Sequence, residues 1–169
     1  MADAVRGPDY EITMPLPSEA LRAAMLAALQ RHKLERLVNA RNPLDLTPMA
    51  NEDAYLDLAR LLLDSNEVDA LILSCVPLTP QLKTTPDELR GGGSLAERLP
   101  QLFAETRKPL VFVVDAGALY DPLASAVRAA GVPVFRTSDQ AARALGRYLV
   151  GRRQPTAPVH CRLRWRAFR

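Results

Sequence analysis

The spacing of apolar and polar side chains changes period several times along the chain, and each change predicts an element. Residues 10–14 (YEITM) alternate large apolar with polar side chains and predict a short strand, closed by Pro15 and Pro17. Ser18 caps a helix in which Leu21, Ala24, Met25, Ala28 and Leu29 recur at i, i+3, i+4, i+7 and i+8, an apolar stripe ending near His32. Residues 37–39 are a short apolar piece. Pro43 then forces its neighbour out of the helical region, so residues 42–46 (NPLDL) predict an extended stretch leading to a turn that Pro48 finishes. Asn51 can accept from the free amides after it, and Glu52 and Asp53 favour a helix start, so a second helix runs to about Asp64 with Tyr55, Ala59, Leu62 and Leu63 inward.

Residues 68–76 (VDALILSCV) are nearly all apolar and too few for a helix, which predicts a strand covered on both faces and ended by Pro77. After a loop to Gln81, Thr85-Pro86-Asp87-Glu88 has the form of a capping box with proline in the first helical position. Gly91, Gly92 and Gly93 interrupt the helix begun there. Residues 94–107 carry Leu95, Leu99, Leu102 and Phe103 on one side, with Pro100 predicting a bend or a fresh start. Residues 110–114 (LVFVV) predict a second buried strand ending at Asp115. Asp121-Pro122 opens a helix with Leu123, Ala126, Val127 and Ala130 inward and Gly131 as its left-handed stop. Residues 132–135 predict a third strand, and Ser138 caps a last helix striped by Ala141, Ala142, Leu145 and Leu149. The pattern dissolves after Val150.

Strand and helix in alternation with short connections predict an α/β, doubly wound, mainly parallel sheet. Such sheets bind ligands beyond the carboxyl ends of their strands, which places residues 77–79, 115–120 and 136–138 at the functional edge. The ligand-edge candidates are Asn42, Asp45, Pro77, Asp115 and Tyr120.

The 169 residues, 48% of them apolar, suit one domain over residues 10–150. No apolar run is long enough to span a membrane, and the first residues carry two acids and no apolar stretch, so the expectation is a soluble, cytoplasmic protein. Charge is uneven. Residues 151–169 hold six arginines and no acid, so the preceding 150 residues have a net charge of −3. The body therefore lacks a cationic footprint for nucleic acid, and residues 151–169, broken by Pro155 and Pro158, predict a disordered basic tail. Trp165 and Phe168 could stack on bases from that tail. Cys75 and Cys161 are too few for a disulfide framework or a zinc site. Cys75 reads as a small apolar group.

The turn at residues 42–47 (NPLDLT), the strand followed by Pro77, and residues 113–115 through 131–136 (GVPVFR), with residues 141–145 (AARAL), carry a resemblance. They look like the C-terminal flavodoxin-like ligase subdomain of the nucleoside-diphosphate-forming acyl-CoA synthetases, relatives of succinyl-CoA synthetase and of ADP-forming acetate–CoA ligase. The resemblance covers residues 10–150. It implies a part of an enzyme that converts acid, CoA and NTP into acyl-CoA, NDP and phosphate through a phosphohistidine on another subdomain. CoA and ATP or ADP are then substrates of the complete enzyme, and its CoA-binding and ATP-grasp subunits or domains are the partners; a homo-oligomer is also compatible.

Two departures from the family pattern bear on function. Neither His32, at a helix end, nor His160, in the tail, lies in a Ser-His-Thr-Gly context, so no catalytic residue is assigned and His32 is expected to face solvent. The family's opening strand and glycine-rich phosphate turn precede the point where this resemblance starts. Gly91 to Gly93 follow no buried strand and read as a flexible insertion. With the first, central strand and its helix lacking, the sheet keeps an open slot that another chain fills or that the segment near Leu37 rearranges to close. Asp45 can bond its own turn or orient a partner's cation. Asp115 lacks the companion acids and lysine of a phosphoacceptor, and no metal ligands are assigned. Two functions are compatible with these features: an acyl-CoA synthetase part that forms scaffold near the phosphohistidine site and is inactive alone, or a noncatalytic regulatory or ligand-binding module of the same fold.

Overall fold

The computed structural model describes Gly7 and residues 10–153. Three parallel strands, β1 (Leu71–Cys75), β2 (Leu110–Val114) and β3 (Val134–Phe135), lie in the order β1-β2-β3. Leu71 pairs with Leu110 and Cys75 with Val114, and Phe112 pairs with Val134. Six α-helices accompany them among the described residues, α1 (Glu19–Arg31), α2 (Glu52–Asp64), α3 (Pro86–Leu89), α4 (Leu95–Glu105), α5 (Asp121–Ala129) and α6 (Ser138–Arg153), with a 3-10 turn at Ala118–Tyr120 before α5.

Alternation along each strand sends side chains to opposite faces. Leu73, Cys75, Phe112 and Val114 point to the face where Leu99 and Leu102 of α4 and Leu123 and Val127 of α5 meet them. Val111 and Val113 point to the other, against Ala141 and Leu145 of α6. A further core lies between α1 and α2, where Met25, Ala28 and Leu29 pack on Ala54 and Leu58. α2 joins the two, since its Ala59 and Leu63 belong to the sheet core.

Local chemistry sets the boundaries. Ser18 Oγ accepts from the Leu21 amide at 3.2 Å and Asn51 Oδ1 from the Ala54 amide at 3.0 Å, so both predicted caps start their helices. The Glu88 carboxylate reaches back to the amides of Thr84 and Thr85, each at 2.9 Å, and those bonds hold it below the usual carboxylate range. Gly131 takes φ +92° and stops α5.

Several expectations need correction. Residues 10–14 form no strand; Glu11 alone has bridge geometry, while the Tyr10 ring lies against Gly146 of α6, a contact that a Cβ there would obstruct. The prolines at 15 and 17 leave too short a run to build a ladder. The segment near Leu37 does not close the sheet: Val38 and Ala40 bury themselves in the α1–α2 core. β1 is an edge strand of the described sheet, and it is not fully covered on both faces: Ala70 and Ile72 pack partly against Ala141 and Leu145 of α6, while Ser74 is exposed. α4 runs through Pro100 without a break, since burial of Leu95, Leu99 and Leu102 on one stripe outweighs the lost amide bond. Ala126 is exposed, and Ala124 takes the inward place. α6 begins at Ser138 itself, the Thr137 carbonyl accepting from the Ala141 amide, and extends to Arg153. The expectations for His160, Cys161, Trp165 and Phe168 lie outside the described residues.

Candidate functional site at the carboxyl ends of the strands

The turn at residues 42–47 is built by its own polar groups. Asp45 Oδ1 accepts from the Thr47 amide at 2.9 Å, the short Asx arrangement that lets Thr47 sit at φ +62°. Asn42, in a cis peptide with Pro43, and Asp45 are both exposed, whereas Leu46 anchors the turn in the α1–α2 core. Of the two readings of Asp45, the local bond is the one the geometry displays.

Next to this turn, the loop after β1 is fastened from below. Thr79 donates its hydroxyl to the Pro48 carbonyl, and Thr84 donates to the carbonyl of the buried Pro77 at 3.1 Å. Glu52 is only 7% exposed, and its Oε1 accepts from the Lys83 amide at 2.6 Å. The first turn of α2 thus holds the β1–α3 loop by a charge-assisted bond. Burial, then the charge of Glu52, pushes the Cys75 thiol up to about 12, so it stays protonated and unreactive, as its apolar setting implies. Burial also raises the Tyr55 phenol, with Cys75 and Asp45 adding to the effect.

The other half of the edge is organised by Arg136. Its guanidinium lies 2.7 Å from Asp121 Oδ1 and also donates to the carbonyls of Ala116 and Gly117, pinning the β2–α5 loop. Arg128 donates to the Val134 carbonyl at 3.2 Å. With Ala118, Ala124 and Ser125, these groups line an open depression of about 480 Å3. Asp115 is exposed at the end of β2, and its amide extends the ladder by donating to Cys75 O at 3.3 Å. Tyr120 is 8% exposed and belongs to the sheet core.

The structure thus brings Pro77 and Asp115 together at adjacent strand ends and ties Asp45 to the same edge. Sequence reasoning placed Thr79 and Arg136 on this edge without foreseeing the bonds they make, and it missed Glu52, Lys83 and Asp121 as fasteners. Their bonds join residues far apart in sequence, and periodicity carries no signal for such pairs; Glu52 registers only as a helix-start acid. His32 is also corrected: its side chain is 18% exposed, and Nε2 lies 2.9 Å from Asp57 Oδ2 across the α1–α2 contact. The glycine run is a formed turn with Gly92 and Gly93 at φ +73° and +74°, closed by Lys83 Nζ on the Gly92 carbonyl at 2.8 Å.

No protein-family model and no curated protein sequence matches the chain. Among solved structures, the crystal structure of PH0766 from Pyrococcus horikoshii OT3 is similar in fold, with 23% identity and a TM-score of 0.60 over 79% of this chain. The chain spans 28% of that protein's length. The fold is a flavodoxin-like α/β arrangement. No helix among the described residues is long and apolar enough to cross a membrane.

Proposed function

We propose that this chain is a subdomain or small subunit of a nucleoside-diphosphate-forming acyl-CoA synthetase, contributing scaffold near the phosphohistidine site without catalysing a step by itself. The observation that carries this reading is the turn at residues 42–47: the most specific part of the sequence resemblance is a rigid, self-bonded loop fastened to the carboxyl edge through Thr79 and Pro48. A fold match that covers only 28% of a larger protein suits a part of a multidomain assembly. In this role the exposed residues Asn42, Asp45 and Asp115 meet the partner domains, and the acyl, CoA and nucleotide chemistry resides in the CoA-binding and ATP-grasp partners. Mixing the purified chain with subunits that carry those parts and following ATP formation from acyl-CoA, NDP and phosphate tests it. Turnover is expected only in the mixture; absence of both binding and rescue, or full turnover by the chain alone, overturns the reading.

One observation favours the second reading, a noncatalytic ligand-binding module. The depression lined by Arg128, Arg136, Asp121 and Ser125 presents two guanidinium groups, one of them paired with the Asp121 carboxylate, and the Ser125 hydroxyl to a polar ligand. Calorimetry against CoA, nucleotides and phosphate separates the two, since tight binding of one ligand without rescue of synthetase activity selects the module.

A further inference from the structure

The positive charge of the chain gathers toward its C-terminal end, and a folded face carries part of it. Residues 138–169 hold eight arginines, one acid and no lysine, so the other 137 residues have a net charge of −4. Sequence reasoning assigns this excess to residues 151–169; the structure extends it onto α6. One side of that helix is committed to the sheet, where Ala141 and Leu145 pack on Val111 and Val113. The helical turn then sets Arg143 and Arg147 along the outer ridge, with Tyr148 and Arg152 on the flank beside it, and all four are exposed. Asp139, the one acid of α6, lies 3.6 Å from Arg143. Arg147 and Arg152 have no carboxylate within ion-pair distance among the described residues; the Arg152 guanidinium lies instead over the Tyr148 ring, 5.8 Å from its centroid.

We infer that residues 138–169 bind single-stranded nucleic acid, the α6 face gripping phosphates through Arg143, Arg147 and Arg152 and stacking a base on Tyr148. This inference goes beyond the synthetase reading and does not depend on it. Guanidinium forks match phosphate oxygens two at a time, and cations clustered on a folded face are what a phosphate backbone needs. An exposed ring among them is a platform for a base, with the cation of Arg152 beside it. The sequence repeats the combination beyond the helix: the chain's one tryptophan, Trp165, stands between Arg164 and Arg166, and Phe168 precedes Arg169. A duplex suits these rings less, because its bases are stacked on one another and out of their reach. An anionic bilayer suits the face less as well. The apolar stripe of α6 is buried on the sheet, which leaves Tyr148 as the helix's only exposed large apolar side chain to enter lipid.

Fluorescence anisotropy of a labelled oligothymidylate of about twenty nucleotides, titrated with the full chain at several salt concentrations, tests the assignment. The expected result is saturable binding whose log affinity falls against log salt with a slope of roughly −4 to −6, as for about six to eight phosphate contacts on a single strand. Replacing Arg147→Ala together with Arg152→Ala should reduce the magnitude of that slope by about 1.4. Tyr148→Ala should weaken binding roughly fivefold or more at an unchanged slope, and Tyr148→Phe should restore it. These side chains are exposed, so each variant should keep its circular dichroism; if Tyr148→Ala disturbs the helix, the arginine pair decides. No binding at about 50 mM salt overturns the proposal. So does an affinity indifferent to both the arginine pair and Tyr148, a duplex of equal length bound as tightly, or tighter association with vesicles of phosphatidylserine and phosphatidylcholine in equal parts.

Discussion

β1 and β2 have the same length and nearly the same apolar content, yet they occupy different environments. LVFVV is buried at every position, paired on both edges and covered on both faces. LILSC is paired on one edge, with only Leu73 and Cys75 buried. An apolar run therefore reports that a strand belongs to a sheet, and not how many neighbours it has. The single polar side chain, Ser74, lies where cover is missing, which is the one trace of the difference in the sequence itself.

Substitution at matched positions sharpens that contrast. The largest effect is expected from proline. Val113→Pro in the central strand removes a ladder bond to β1 in a fully buried setting and should leave no cooperative unfolding transition, whereas Ser74→Pro should retain one at nearly the parent temperature; equal losses would show that β1 is not an edge. Truncation comes next. Phe112→Ala empties the centre of the sheet and should cost about 3–5 kcal/mol in urea unfolding, while Ile72→Val at the half-buried margin should cost no more than about 1 kcal/mol.

The smallest effect lies away from the sheet, in the α1–α2 contact. Burial pushes the Asp57 carboxyl up, but the hydrogen bonds and charges of Arg31 and His32 more than offset this and hold it below its ordinary value of 3.8. A depressed folded-state value gives stability that is present above the unfolded carboxylate pKa and is lost as pH falls through the folded one. Asp57→Asn should flatten that acid limb, with a loss at neutral pH below about 1 kcal/mol because the pair is partly exposed and screened. Unfolding midpoints at several acidic pH values check it, and an unchanged acid limb would show that the pair adds nothing to stability.

Much of the architecture was readable residue by residue. Ser18, Asn51, Asp121-Pro122 and Gly131 punctuate helices through bonds and dihedrals within a few residues of themselves, and all act as their types predict. The candidate edge was readable in part. Pro77 and Asp115 follow strand ends and so fall at the carboxyl side of any parallel sheet, but Tyr120 turns into the core, which its place after a glycine loop does not reveal. The buried bond from Glu52 to the Lys83 amide and the Arg136 clasp on residues 116–121 were not readable, because they depend on where two loops meet.

The sequence by itself determined the element types, the caps and stops, and the alternation that makes the chain a parallel α/β layer, since each depends on interactions local to a few residues. Only the tertiary structure decided that residues 10–14 build no strand, that β1 stands at an edge, and which charged side chains clasp the functional end. Those outcomes rest on contacts between segments distant in the chain, and the free energy of such a contact depends on what the fold places on its other side.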